Sequence, residues 1–218
     1  MTEAHASGAS GTGNSLFRNA EFTISVAKPD QLPAAEGPEI AFVGRSNAGK
    51  SSAINTLVGH KRLAFVSKTP GRTQLINFFR LHNGAFLVDL PGYGYAAVPE
   101  AIRRSWSNLI ERYLREREAL VGIVLIADSR RGLTDLDRNM LSWFAGSNKP
   151  VHVLLSKSDK LSKREAADVL RAVRKEMQDL GFNSSVQLFS SLKTIGVDDA
   201  SKALGAWFDT SAEAADNA

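Results

Sequence analysis

The eight residues Gly44-Arg45-Ser46-Asn47-Ala48-Gly49-Lys50-Ser51 constrain the chain more than any other stretch. A short apolar run, Ile40 to Val43, precedes them, and Ala53, Ile54 and Leu57 follow at helical spacing, so a strand feeds a glycine loop that opens a helix. Glycines at such a turn let backbone N–H groups and the helix N-terminus surround phosphate oxygens. Lys50 is then expected to reach the β and γ phosphates of a nucleotide, and the Ser51 hydroxyl to ligate Mg2+.

The rest of the chain repeats this alternation. Leu75 to Leu81 and Ala85 to Leu90 are apolar runs separated by His82-Asn83-Gly84, and Asn-Gly is a hairpin signal, so these two strands should pair antiparallel. Ile102, Trp106, Leu109, Ile110 and Tyr113 recur at spacings of three and four and predict an amphipathic helix. Leu120 to Ala127 is a buried-strand candidate, followed by a helix with Thr134 as N-cap and Asp137 three residues on. Val151 to Leu155 is another strand. Ser162 and Glu165 form a capping-box pattern before a helix that stops at Gly181, Val186 to Phe189 closes the sheet, and Val197 to Phe208 is the last helix. Strands alternating with helices imply an α/β fold with a mostly parallel, six-stranded sheet, one antiparallel edge strand and helices on both faces.

Composition sets the boundaries of this domain. At 218 residues and 43% apolar, the chain suits one core. Residues 1–20, rich in Gly, Ala, Ser and Thr at their start, are expected to be a disordered tail, residues 21–209 the domain, and residues 210–218 a second polar tail. The absence of cysteine excludes a disulfide framework and thiolate chemistry and suits the cytoplasm. No apolar run approaches the roughly 20 residues of a membrane-spanning helix, so no membrane partner is expected. A formal charge of +4 is too modest to identify a nucleic-acid partner by itself.

Four further motifs fall at expected strand ends. Asp89-Leu90-Pro91-Gly92 offers a carboxylate that can hold a water on Mg2+ and a glycine N–H that can reach a γ-phosphate. The polar loop before it, with Gly71-Arg72-Thr73-Gln74-Leu75, offers Thr73 as a second metal ligand that senses the same phosphate. Ser156-Lys157-Ser158-Asp159 suits guanine, because the Asp159 carboxylate accepts from N1–H and the 2-amino group while the Lys157 stem covers the purine ring. Phe189-Ser190-Ser191 completes the base pocket with a backbone N–H on guanine O6. No side chain is singled out as catalytic.

Taken together, GRSNAGKS, TPGRTQ, DLPGYGYA, SKSD and FSS resemble the EngB (YihA/YsxC) family of bacterial GTPases, within the wider Era-like class, over about Glu21 to Phe208. The resemblance implies a Ras-like P-loop G domain, a role in assembly of the large ribosomal subunit with that subunit or its precursor as partner, and a requirement for normal cell division and septation. It also marks Ser156 as a departure, since the family usually has Asn or Thr there, with weaker bracing of the pocket as the expected consequence. Tyr93 stands where Ras-like proteins carry the glutamine that orients attacking water, which implies slow unassisted hydrolysis. Asn47 resembles the asparagine that helps hold K+ near the phosphates in related GTPases.

The leading expectation is therefore a monomeric, Mg2+-dependent GTP switch whose turnover is slow without a partner or potassium. The alternative is a nucleotide-gated binding module with negligible intrinsic hydrolysis. An ATP-using kinase is a third reading, against which Asp159 argues. Arg103, Arg104, Arg112, Arg115 and Arg117 on one helix, and Lys160, Lys163, Arg164, Arg171, Arg174 and Lys175 near another, are positive enough for RNA phosphates, although solvated helix faces are the better explanation of them.

Overall fold

A computed structural model describes residues 16–64, 75–94 and 100–216, with residues 100–106 and 211–216 described by their backbone alone. The sheet is built around β2 (Glu39–Gly44), all six of whose residues are buried. That continuous apolar reading follows from its position, paired in parallel with β4 (Phe86–Asp89) on one side and β5 (Leu120–Asp128) on the other, with both faces covered. Beyond β5 lie β6 (Val151–Ser156) and β7 (Ser184–Leu188), both parallel.

On the opposite side, β3 (Ile76–Arg80) pairs antiparallel with β4 across the expected hairpin, where the Gly84 N–H donates to the Leu81 carbonyl at 3.0 Å. The sheet has seven strands rather than six, in the order β1-β3-β4-β2-β5-β6-β7. The extra strand, β1 (Glu21–Val26), pairs antiparallel with β3 and takes the edge, so the one strand running against the others is next to the edge rather than at it. Among its six residues only Val26 is buried, so the burial that makes a strand legible in sequence is missing here.

One face of the sheet carries α2 (Glu100–Glu116), α3 (Asp135–Phe144) and α4 (Lys163–Asp179), with Ile110, Tyr113, Met140, Phe144, Val173 and Met177 buried against it. The other carries α1 (Lys50–Leu57) and α5 (Val197–Asp216), through Ile54, Leu57, Leu204 and Phe208. Both expected capping arrangements are present. Ser162 N–H donates to Glu165 Oε2 at 2.8 Å, and Thr134 N–H donates to Asp137 Oδ2 at 2.8 Å. A buried carboxylate, Glu39, ties β2 to α2 by accepting from Tyr113 Oη at 2.7 Å and from the Arg117 guanidinium.

The two tails differ from expectation. Phe17, within the segment expected to be disordered, is fully buried, its ring 6.3 Å from that of Phe208. At the other end α5 continues to Asp216, because Ser-Ala-Glu-Ala-Ala-Asp contains no residue that breaks a helix. Trp143 on α3 and Trp207 on α5 are half-buried against the core. Among the described residues no helix is long and apolar enough to cross a membrane.

Candidate nucleotide site

The carboxyl ends of β2, β4, β5, β6 and β7 converge on one edge of the sheet, where open α/β folds bind ligands. The loop from β2 to α1 turns through two left-handed residues, Asn47 (φ 64°) and Gly49 (φ 104°), the latter capping α1. Asparagine and glycine are the residues that adopt this conformation at low cost, and it turns successive N–H groups toward one point above the helix. Gly44 is required for a different reason: a Cβ there would lie 2.7 Å from the Ile126 carbonyl oxygen of the neighbouring strand.

Lys50 and Asp89 form an ion pair, with side chains only 9% and 5% exposed. The Asp89-Leu90-Pro91-Gly92 turn is zipped to the phosphate loop. Tyr93 N–H donates to Gly44 O at 3.3 Å, Ser46 N–H donates to Tyr93 O at 2.9 Å, and Ser46 Oγ donates to Gly92 O at 3.2 Å. Tyr93 Oη donates to Asp137 Oδ1 at 2.6 Å, and burial, reinforced by the Asp137 carboxylate, pushes the phenol well above its usual range. The Tyr93 hydroxyl is thus committed to the first turn of α3.

The base loop is braced against the same phosphate loop. Ser156 Oγ donates to the Ala48 carbonyl, so its serine hydroxyl braces the phosphate loop. Lys157, itself at φ 58°, donates from Nζ to Asn47 O at 2.6 Å and to Asp128 Oδ2 at 2.9 Å. Asp159 Oδ1 accepts from Ser190 Oγ at 2.6 Å, which holds its carboxyl below the usual carboxylate range. Ser158 donates from both its N–H (3.1 Å) and its Oγ (3.0 Å) to the Phe189 carbonyl, tying the two base loops together.

The structure therefore brings together Gly44 through Ser51, Asp89 through Gly92, Ser156 through Asp159, and Ser190. Phe189 and Leu90 belong to the core, 0% and 1% exposed, so Phe189 serves the site through its carbonyl rather than its ring. Gly71, Arg72, Thr73 and Gln74 lie outside the described residues, and with them the proposed Thr73 metal ligand; Leu75 is half-buried just before β3.

Sequence reasoning overlooked two carboxylates. Asp128 ends β5 and accepts from Lys157 and from Arg130, whose Nε is 2.9 Å from Oδ1. Burial opposes its ionisation, but the hydrogen bonds from Arg130 and Lys157 outweigh it and hold the carboxyl far below its usual range. A lone Asp closing an apolar strand run was the available signal. Asp137, read as a helix cap alone, is also the partner of Tyr93.

The residues present suit Mg2+ held through a nucleotide. Ser51 and Asp89 supply hard oxygen atoms beside Lys50, and among the described residues no cluster of three or more His, Cys, Asp or Glu is gathered into an all-protein metal cage. Mg2+ characteristically binds through one or two side chains plus substrate phosphates.

Comparison with known proteins agrees with this geometry. A family model described as 50S ribosome-binding GTPase matches residues 39–157. The probable GTP-binding protein EngB of Azoarcus sp. strain BH72 is 67% identical over 193 residues, covering 88% of this chain and 92% of that protein. Its counterpart in Neisseria gonorrhoeae is 58% identical, covering 92% and 96%. Among solved structures, a probable GTP-binding protein engB superposes with a TM-score of 0.61 at 20% identity over 79% of this chain and 99% of that one. Era in complex with MgGDPNP and a segment of 16S ribosomal RNA gives 0.61 at 24% identity over 78% of this chain and 56% of that one. At such identities the last two show the fold alone.

Proposed function

The chain belongs to the EngB family of GTP-binding proteins, and on that premise we propose that it is a Mg2+-dependent GTP switch acting on the large ribosomal subunit or its precursor. In this reading it works in the cytoplasm as a monomer, supports subunit assembly, and is needed for normal cell division and septation. The observation that carries the nucleotide half is the cross-brace of Lys157 on Asn47 and Ser156 on Ala48, which sets the base-reading Asp159 on the same rim as Lys50. Lys50 would bind the β and γ phosphates, Ser51 and Asp89 would hold Mg2+ directly and through water, and the metal would neutralise charge building on the phosphoryl group. Gly92, whose carbonyl accepts from Ser46 Oγ, would offer its N–H to the γ-phosphate, so GTP and GDP would favour different positions of the Gly92–Tyr93 segment.

The ribosomal half is tested by co-sedimentation with purified large subunits in a nonhydrolysable GTP analogue, in GDP and without nucleotide, at two salt concentrations. Binding that requires the analogue is the expected result. Equal binding in all three conditions, or none, removes the GTP-gated role.

The binding-module alternative is favoured by one feature, the engagement of Tyr93 Oη with Asp137, which commits its only proton and leaves none to donate to a water. We propose that hydrolysis is slow for this reason and that K+ held near Asn47 accelerates it. Single-turnover hydrolysis should then be several-fold faster in KCl than in NaCl at equal ionic strength, and faster again with large subunits. Equal rates in the two salts remove the potassium site, and no turnover under any condition leaves a gated binding module.

A further inference from the structure

A cavity of about 320 Å3 opens beside the phosphate loop. Arg45, Asn47, Gly94, Arg131, Asp137 and Lys157 contribute to its wall, whereas Lys50, Ser51, Asp159 and Ser190 do not. It adjoins the nucleotide site, sharing Arg45 to Ala48 of the phosphate loop and Lys157 with it, but not the side chains of Lys50, Ser51, Asp159 or Ser190.

The charges lining it do not cancel. Asp137 spends one oxygen on Tyr93 Oη and the other on Thr134 N–H and Oγ1. Asp128 is taken by Arg130 and Lys157. Two arginines remain. Arg45 Nε is fully buried and has no hydrogen-bond partner among the described residues. Arg131 is exposed at the cavity and makes no side-chain hydrogen bond or ion pair among the described residues. A buried guanidinium N–H without an acceptor is costly, and a guanidinium's planar donors match an oxyanion better than any neutral group.

We propose that this cavity is an oxyanion site that takes a phosphate group between Arg45 and Arg131. The volume is ample for inorganic phosphate or the phosphate of a chain end. Because Arg45 also belongs to the phosphate loop and its neighbour Ser46 bonds to Tyr93 and Gly92, an anion here bears on the segment expected to respond to the γ-phosphate.

The site rests on the GTP reading only in that it is tested with the nucleotide position filled. Full-length protein is loaded with Mg·GDPNP, loading is quantified, and inorganic phosphate is titrated by calorimetry. A parallel titration uses a six-nucleotide RNA. One saturable equivalent of phosphate is expected, weakened about tenfold or more in Arg131→Gln protein that still loads GDPNP fully. Arg131-dependent binding of the RNA without binding of phosphate assigns the same oxyanion site to a phosphodiester. Failure to load GDPNP refutes the nucleotide site. Full loading with no anion bound, or with binding unchanged by Arg131→Gln, overturns the oxyanion site.

Discussion

Asp159→Asn should convert the base pocket from guanine to xanthine. An ionised carboxylate accepts from guanine N1–H and the 2-amino group together, and the amide replaces one acceptor oxygen with a donor. Ser190 Oγ can still donate to the remaining oxygen, so the loop keeps its shape and the new NH2 faces the base. Two charge-assisted hydrogen bonds lost at about 1.5–3 kcal/mol each predict a fall in GTP affinity of about 10²–10³-fold or more. Xanthine presents a 2-keto acceptor where guanine has its amino group, so XTP should compete for the variant and fail against the parent. Displacement of a fluorescent GTP analogue measures both. Retained GTP affinity in Asp159→Asn protein would show that Asp159 does not read the base.

That prediction was available from Ser156-Lys157-Ser158-Asp159 alone, and the reason applies to most of the site. Motifs that touch phosphate or base need particular residues at fixed spacing after a strand, and β2, β4 and β6 announce themselves as apolar runs. What stayed hidden depends on contacts between distant segments. The bond from Tyr93 to Asp137 spans 44 residues, and that from Lys157 to Asp128 spans 29; in each case the partner is an ordinary Asp until the fold brings the two together. β1 was hidden for another reason. Its pairing with β3 rests on backbone hydrogen bonds, and Phe22 and Ile24 remain 56% and 38% exposed, so its alternation marks no buried face. Ser156 was legible as a hydroxyl but not as the brace on Ala48, which follows from the loop lying directly against β6.

Lys50→Ala should cost the protein twice, and the two losses can be measured separately. Lys50 neutralises Asp89 in a site where neither side chain is more than one-tenth exposed. Removing the lysine leaves a buried carboxylate without its counter-ion, which typically destabilises a fold by about 3–5 kcal/mol. Replacing both partners by apolar residues removes the uncompensated charge as well, so Lys50→Met/Asp89→Leu should recover most of that loss in denaturant unfolding. The second loss appears with nucleotide. GTP recruits Lys50 only by separating it from Asp89, so the gain from its phosphate contacts is net of a broken ion pair. Even so, losing charged contacts to the β and γ phosphates predicts about 100-fold weaker GTP binding, near 3 kcal/mol. Added GTP should therefore raise the unfolding midpoint of the parent and leave both variants close to their unliganded values. A Lys50→Ala protein as stable as the parent would mean that Asp89 is not held by this pair. Stabilisation by GTP equal to the parent's would mean that the phosphates are bound without Lys50.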